Sequence, residues 1–435
     1  NNMSSTTSRR LILRNAAQVV CVARSGEKMK CGSAMADVAV LENASVVVGG
    51  DGRIEAVGPA AEIEAAYAEA SFDCSVDASG KCVLPGLVDG HTHPVWSGDR
   101  VHEFAMKLAG ASYLDIHKAG GGIQYTVDHT RRSPPEELVG LLLPRLDRML
   151  ATGTTLVEAK SGYGLETETE VKMLQVLAQA GKRHPLEISA TFLGAHSVPR
   201  GSTEEAAAAD VVERQLPAVL AARDAGTLAV DAIDVFCEKG VFERDTTERI
   251  LRAGKEAGLR INFHGDELAP MASGELGAAV GATAISHLER VSEEGMRAMA
   301  AAGVVGVLLP TTAYILRLEP PPARRMIELG VPVALGSDFN PNAHCTSMPL
   351  VMHLACILLR MSMPEALTAA TLNAAASVGR SDTHGSIEKG KVGDLLLLDA
   401  PAWEHLVYRL GDPPIAAVFK AGRKVAEHGR PCYAE

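Results

Sequence analysis

Val83-Leu84-Pro85-Gly86-Leu87-Val88-Asp89-Gly90-His91-Thr92-His93 is an apolar run that ends in two histidines one residue apart. Along a strand, residues i and i+2 point to the same side. Leu84 to His93 therefore reads as a buried strand that aims both imidazoles at one point beyond its end. Imidazole is a good ligand for zinc or iron, and two of them need partners from elsewhere in the chain to complete a site.

Seven more runs of this kind follow: Thr154 to Ser161, Glu187 to Ala195, Ala232 to Glu238, Arg260 to Asp266, Ala282 to Leu288, Val304 to Pro310 and Val331 to Asp338. Most end in a polar or charged cluster. Between them the apolar residues recur with helical period, as in Thr167 to Ala180 and Thr246 to Ala257. Strand and helix alternating eight times predicts a (β/α)8 barrel of the TIM type, in which reactive residues stand at the C-terminal ends of the strands. The polar clusters fall at those ends.

The termini read differently. Leu11 to Ala23 has a strand pattern, and Val38 to Gly49, Gly50-Asp51-Gly52-Arg53 and Ile54 to Gly58 form a hairpin signature. Gly385 to Asp394 leads into Leu395 to Leu398, and Ile415 to Phe419 with Lys424 to Ala426 makes a second hairpin. A small β-sandwich built from residues 1–83 and 388–435, beside a barrel over 84–387, is expected.

The 435 residues are 47% hydrophobic and 22% charged, enough for one large core. A net charge of −11 argues against nucleic acid or an anionic membrane as partner, since both need a basic surface. No segment approaches the ~20 apolar residues that cross a bilayer. The nearest, Val304 to Leu316, is short and contains Pro310. Arg9, Arg10 and Arg14 precede the first acidic residue, Glu27, which weakly resembles a transit peptide, but the strand pattern there is the stronger signal. The eight cysteines form no CxxC pair, as expected of reduced thiols in the cytoplasm.

The strand ends carry the chemistry. Strand one ends in His91 and His93, strand five in His264-Gly265-Asp266-Glu267, strand six in Ser286-His287-Leu288, and strand eight in Ser337-Asp338-Phe339-Asn340. His91, His93, His264 and Asp338 would close a four-ligand metal site with room for water, and His287 is left to handle a proton. Asp338 could instead cap the helix that follows.

This order of residues resembles the amidohydrolase superfamily over nearly the whole chain. Its binuclear members also use a carboxylated lysine near strand four. Lys239, in Cys237-Glu238-Lys239-Gly240, could fill that role but reads better as a surface or gating residue, so the pattern resembles the mononuclear subtype. The loops narrow the match. Leu108-Ala109-Gly110-Ala111-Ser112-Tyr113, Ala119-Gly120-Gly121-Gly122-Ile123, Lys160-Ser161-Gly162-Tyr163-Gly164, Leu193-Gly194-Ala195-His196 and Asp338-Phe339-Asn340-Pro341-Asn342 together resemble the imidazolonepropionase family. Gly265 resembles its animal-type branch, where bacterial members often carry alanine. The triglycine lacks the lysine and hydroxyl residue of a phosphate loop, so nucleotide binding is excluded.

The resemblance implies metal-dependent hydrolysis of the cyclic amide of 4-imidazolone-5-propanoate to N-formimidoyl-L-glutamate in histidine degradation. It implies one zinc or iron ion per chain and a homodimer. A bound divalent metal lowers the pKa of water to about 7 and polarises a carbonyl. The residues alone leave open how proton transfer divides among His287, Glu267 and Asp338. The family pattern implies His287 as water activator and Glu267 as a contact to the ring nitrogens. Arg100 suits the propionate, because its fork binds a carboxylate bidentately, though a salt bridge to Asp99 or Glu103 is the competing reading. Tyr163 and His196 match substrate-contacting positions, and Asn340 is placed to touch the glutamate-like product. Another mononuclear amidohydrolase, such as a guanine or cytosine deaminase, would share every ligand but has no need of Arg100. A binuclear enzyme resembling dihydroorotase would need Lys239, and a non-catalytic scaffold would have lost ligands.

Overall fold

The structure is a computed structural model and describes residues 9–110 and 121–433. Eight parallel strands form the barrel: Leu87–Thr92, Thr154–Lys160, Glu187–Ala195, Ala232–Cys237, Arg260–Gly265, Ala284–His287, Val305–Leu308 and Val333–Leu335. They are hydrogen-bonded in chain order, and helices such as Thr167–Arg183 and Arg244–Glu256 cover the outside. Strands one, two, four and six are buried at every residue, on both faces of the sheet. The barrel closes between strands one and eight. Asp338 N–H donates to the His91 carbonyl (3.0 Å) and His93 N–H to the Phe339 carbonyl (2.9 Å).

The opening run is two strands, not one. Cys82–Pro85 belongs to a second sheet, and the chain passes into the barrel at Gly86. A side chain at Gly86 would fall 2.1 Å from Thr155 Oγ1, so only glycine fits the crossing. The second sheet is mixed and has nine strands from both ends of the chain. Arg9–Val22 pairs antiparallel with Ala39–Val48 and parallel with Phe72–Asp77 and Cys82–Pro85. Leu395–Leu398 then joins Cys82–Pro85 antiparallel, which stitches the C-terminal hairpin to the N-terminal strands.

Inside the barrel, Val88, Leu156, Ala284, Val305 and Val307 lie near the strand starts and pack on Ala374, Ala375 and Val378 at the helix Leu372–Ser377. This apolar plug seals one end of the barrel. The histidines and Asp338 stand at the other end, where the strands finish. Among the described residues no helix is long and apolar enough to cross a membrane. All eight cysteines are free.

Candidate metal centre and active-site cleft

The three strand-end histidines meet. Nε2 of His91 lies 3.2 Å from Nε2 of His93, which lies 3.3 Å from Nε2 of His264. Asp338 Oδ1 is 3.5 Å from Nε2 of both His91 and His93 and takes no hydrogen bond. The other Asp338 oxygen accepts from the Thr312 hydroxyl. Ring orientations are set from behind. His264 Nδ1 donates to Asp234 Oδ1 (2.8 Å), and His91 Nδ1 faces Ser286 Oγ (2.7 Å). A carboxylate only accepts, so Nδ1 of His264 carries the proton and Nε2 offers its lone pair inward. Burial, and after it the neighbouring imidazoles and the Lys160 ammonium, hold all three rings well below the ordinary histidine pKa. Ligands around a tetrahedral ion with metal–nitrogen bonds of 2.0–2.1 Å stand about 3.3 Å apart. The donor set, its spacing and the orphaned Asp338 oxygen therefore fit a divalent metal.

The backbone is bent to make this arrangement. Asp338 has φ +48° and His287 φ +78°, a region L residues rarely adopt. Arg145 donates to the carbonyls of Pro94 (2.8 Å) and Trp96 (3.0 Å), which pins the turn after His93.

A cleft opens over the centre, lined by His93, Arg100, Tyr163, His196, Glu267, His287, Asp338 and Asn340 among others. Every residue assigned to the site from sequence thus reaches this cleft except His91, which lies fully buried behind its ligand atom. His287 Nε2 is 3.6 Å from Glu267 Oε2, and its Nδ1 is 3.8 Å from the buried Glu289. Burial opposes charge on His287, but Glu267, Glu289 and Asp338 outweigh it and raise the ring to about 10. Burial lifts the Glu267 carboxyl to about 8, with Glu289 and Asp338 adding to the effect. The His196 ring stacks on His93, with centroids 4.8 Å apart and planes 12° apart, and burial lowers its pKa to about 4.

Arg100 lines the cleft and pairs with Glu103 (2.7 Å), the salt bridge that was the competing sequence reading. Asp99 instead accepts the Val101 N–H. Asn340 is engaged at both ends of its amide, donating to the Asp338 carbonyl and accepting from the Asn342 and Ala343 N–H groups. Lys239 is exposed and away from the cleft lining. Of the glycine-rich loop after strand one, Ala111, Ser112, Tyr113, Ala119 and Gly120 lie outside the described residues.

Sequence reasoning missed three supports. Lys160 is buried between Glu158 Oε1 (2.7 Å) and Asp234 Oδ2 (2.8 Å). Burial works to discharge it, but the two carboxylates prevail and raise its pKa. Asp89, pushed up to about 7 by burial, accepts from the backbone and hydroxyl of Ser337 and so ties strand one to the Asp338 turn. Glu170 accepts the N–H groups of Gly162, Gly164 and Leu165, which shapes the loop bearing Tyr163. Glu158 and Lys160 sit at i and i+2 in an otherwise apolar run, a signal of inward-facing charge that was there to read.

The chain belongs to the amidohydrolase family, whose sequence profile matches residues 82–425. Within that class it is 62% identical to the probable imidazolonepropionase of Mus musculus over 406 residues, covering 93% of this chain and 95% of that one. It is 60% identical to the probable imidazolonepropionase of Nematostella vectensis over 422 residues, covering 95% and 98%. The zinc-complexed atrazine chlorohydrolase of Arthrobacter aurescens superposes with a TM-score of 0.74 at 17% identity, covering 98% of this chain and 97% of that one, and so shares the fold.

Proposed function

We propose that this chain hydrolyses the cyclic amide of 4-imidazolone-5-propanoate to N-formimidoyl-L-glutamate, using one zinc or iron ion. The observation that carries the reading is Arg100, a buried cation in the wall of the same cleft as three converging histidines. A deaminase of uncharged bases has no anion for it to bind. The relatives named above, near 60% identity, support the same substrate.

An ion held by His91, His93, His264 and Asp338 would supply a nucleophilic water at neutral pH and polarise the ring carbonyl. Arg100 binds the propionate carboxylate, and Glu103 holds its guanidinium from the far side. His196 and Tyr163 form one wall against which the planar ring lies. His287, whose ring a cation beside it would return toward the neutral form, takes the proton of the attacking water as the oxygen adds to the carbonyl carbon. The carbon–nitrogen bond then breaks, and His287 returns the proton to the leaving nitrogen. Glu267 holds the ring nitrogens in place for that transfer.

The test pairs elemental analysis of the purified protein with an assay following loss of imidazolone absorbance and appearance of formimidoylglutamate. About one metal per chain with turnover is expected. Turnover of guanine or cytosine without imidazolone turnover would overturn the substrate, and two ions per chain with activity on dihydroorotate would overturn the mononuclear mechanism.

A further inference from the structure

Lys160 is among the largest fully buried side chains of the molecule, and the proposed reaction makes no use of it. Its charge is held between carboxylates on strands two and four, while Thr191 on the intervening strand donates to Glu158. Taking a lysine and two carboxylates out of water is costly, and apolar side chains of similar volume would fill the same space with less penalty. Glu158 also accepts the backbone N–H of Thr92 (3.3 Å), an acceptor that glutamine would keep, and the side-chain route from the lysine to a ligand runs through Asp234. Asp234 turns one oxygen to Lys160 and the other to His264, where Oδ1 receives both Nδ1–H (2.8 Å) and the backbone N–H (3.2 Å).

We infer that Lys160 is a positioning residue for the metal centre: its ammonium, clamped by Glu158, fixes the Asp234 carboxylate so that the His264 ring is held with Nε2 facing the ion. The inference rests on the metal reading above. Without the ammonium, Asp234 Oδ2 would be buried facing no cation, and the carboxylate would be free to rotate about its own axis or to take up a proton. In either state it holds the His264 ring less firmly. Lys160 itself stays charged throughout and touches neither substrate nor ion. The pathway is short and contiguous: ammonium, carboxylate, imidazole, metal.

The charge-balanced pair E158Q/K160M removes the clamp and leaves Asp234 with its single charge. Against it stand D234A, which leaves the Glu158–Lys160 pair neutral, and the triple variant E158Q/K160M/D234A. Each is stripped of metal, then titrated with Zn²⁺ against a chromophoric chelator, and separately loaded with Co²⁺ for its visible spectrum. Groups behind a metal ligand typically change metal affinity 10- to 100-fold. We expect a loss of about that size in E158Q/K160M, with a changed Co²⁺ band. In the D234A background the same two substitutions should change affinity by less than about 2-fold, because the path through Asp234 is already cut. Wild-type affinity and spectrum in E158Q/K160M, or losses that add in full to those of D234A, would overturn the inference. If the pair variant does not fold, D234N serves in its place: it keeps an acceptor for His264 but loses the ionic clamp, and wild-type Zn²⁺ affinity in D234N overturns the inference equally. A wild-type protein that takes up no Zn²⁺ would sink the metal reading itself, a result distinct from tight wild-type binding with unaffected variants.

Discussion

Arg100 and Glu103, one helical turn apart, form a 2.7 Å ion pair buried in the cleft wall, and the Glu103 carboxylate also accepts the Gly122 N–H at 2.8 Å. The guanidinium is therefore oriented before any ligand arrives, which lowers the entropic cost of binding a carboxylate. A lysine at this position keeps the charge but loses the fork. R100K should raise KM about 10- to 100-fold, the worth of one charged hydrogen bond, with metal content unchanged. Steady-state kinetics with elemental analysis would check this, and an unaltered KM would remove Arg100 from the substrate site.

His287 stands beside the converging histidines, its ring centroid 5.3 Å from that of His264. H287A should fold and bind metal normally while kcat falls by about 10²- to 10⁴-fold, the range for a lost acid–base group. Near-normal kcat in this variant would move the proton transfer to another residue.

Metal removal should destabilise the fold. The inward nitrogen of His93 lies 3.2 Å from that of His91 and 3.3 Å from that of His264, and such lone pairs oppose one another when nothing lies between them. An ion present at a thousand times its dissociation constant adds about 4 kcal/mol to the folded state. Chelator-treated protein should melt at lower temperature, with recovery on adding Zn²⁺. Identical melting curves would show that the site is not occupied under those conditions.

At the opposite end of strand three, Glu187 faces His384 Nε2 (3.1 Å) and Lys420 Nζ (3.1 Å), which link the barrel to the terminal sheet. Burial works against the Glu187 charge, but His384 and Lys420 prevail and depress the carboxyl to about 2. A carboxyl with a depressed folded pKa stabilises the fold above its unfolded value of about 4.3, and that contribution disappears as pH falls through the folded pKa. E187Q should therefore be less stable than wild type at pH 6, and the gap should close as pH drops from about 5 toward 2. Urea unfolding at several pH values would measure it, and a gap independent of pH would contradict the assignment. Because Glu187 is partly exposed, the gap should be small.

Gly265 sits where an added Cβ would fall 2.4 Å from the Cβ of Ser273. G265A should cost about 1–3 kcal/mol through overpacking, and the second change S273G should restore much of it. Thermal denaturation of the single and double variants would decide, and an undiminished penalty in the double variant would place the strain elsewhere.

The barrel strands were legible because they are largely buried and so are written as short runs rich in apolar residues, separated by segments of helical period. The convergence of the strand-end histidines was legible because strand ends carry chemistry in this fold and because His91 and His93 share one face. The Gly86 crossing was not, since two short strands in line leave the same apolar run as one long strand. Lys160 was quoted as part of a loop signature but given no role. Its partner Asp234 lies two strands away, and nothing in spacing announces a contact that only barrel curvature creates. The pairing of Arg100 with Glu103 was open in the sequence as one of two alternatives, and the fold shows that pair.

The seam that closes the barrel also bears on how the protein comes into being. His91 and Asp338 come from the first and last barrel strands, and the hydrogen bonds that join those strands run through these same residues. During synthesis the two histidines of strand one emerge early and must wait for nearly the entire barrel to be made. Asp338, the fourth ligand of the proposed site, arrives only when strand eight docks. A nascent chain can therefore present at most a partial, weak chelate, and full metal capture is deferred to the last step of barrel closure.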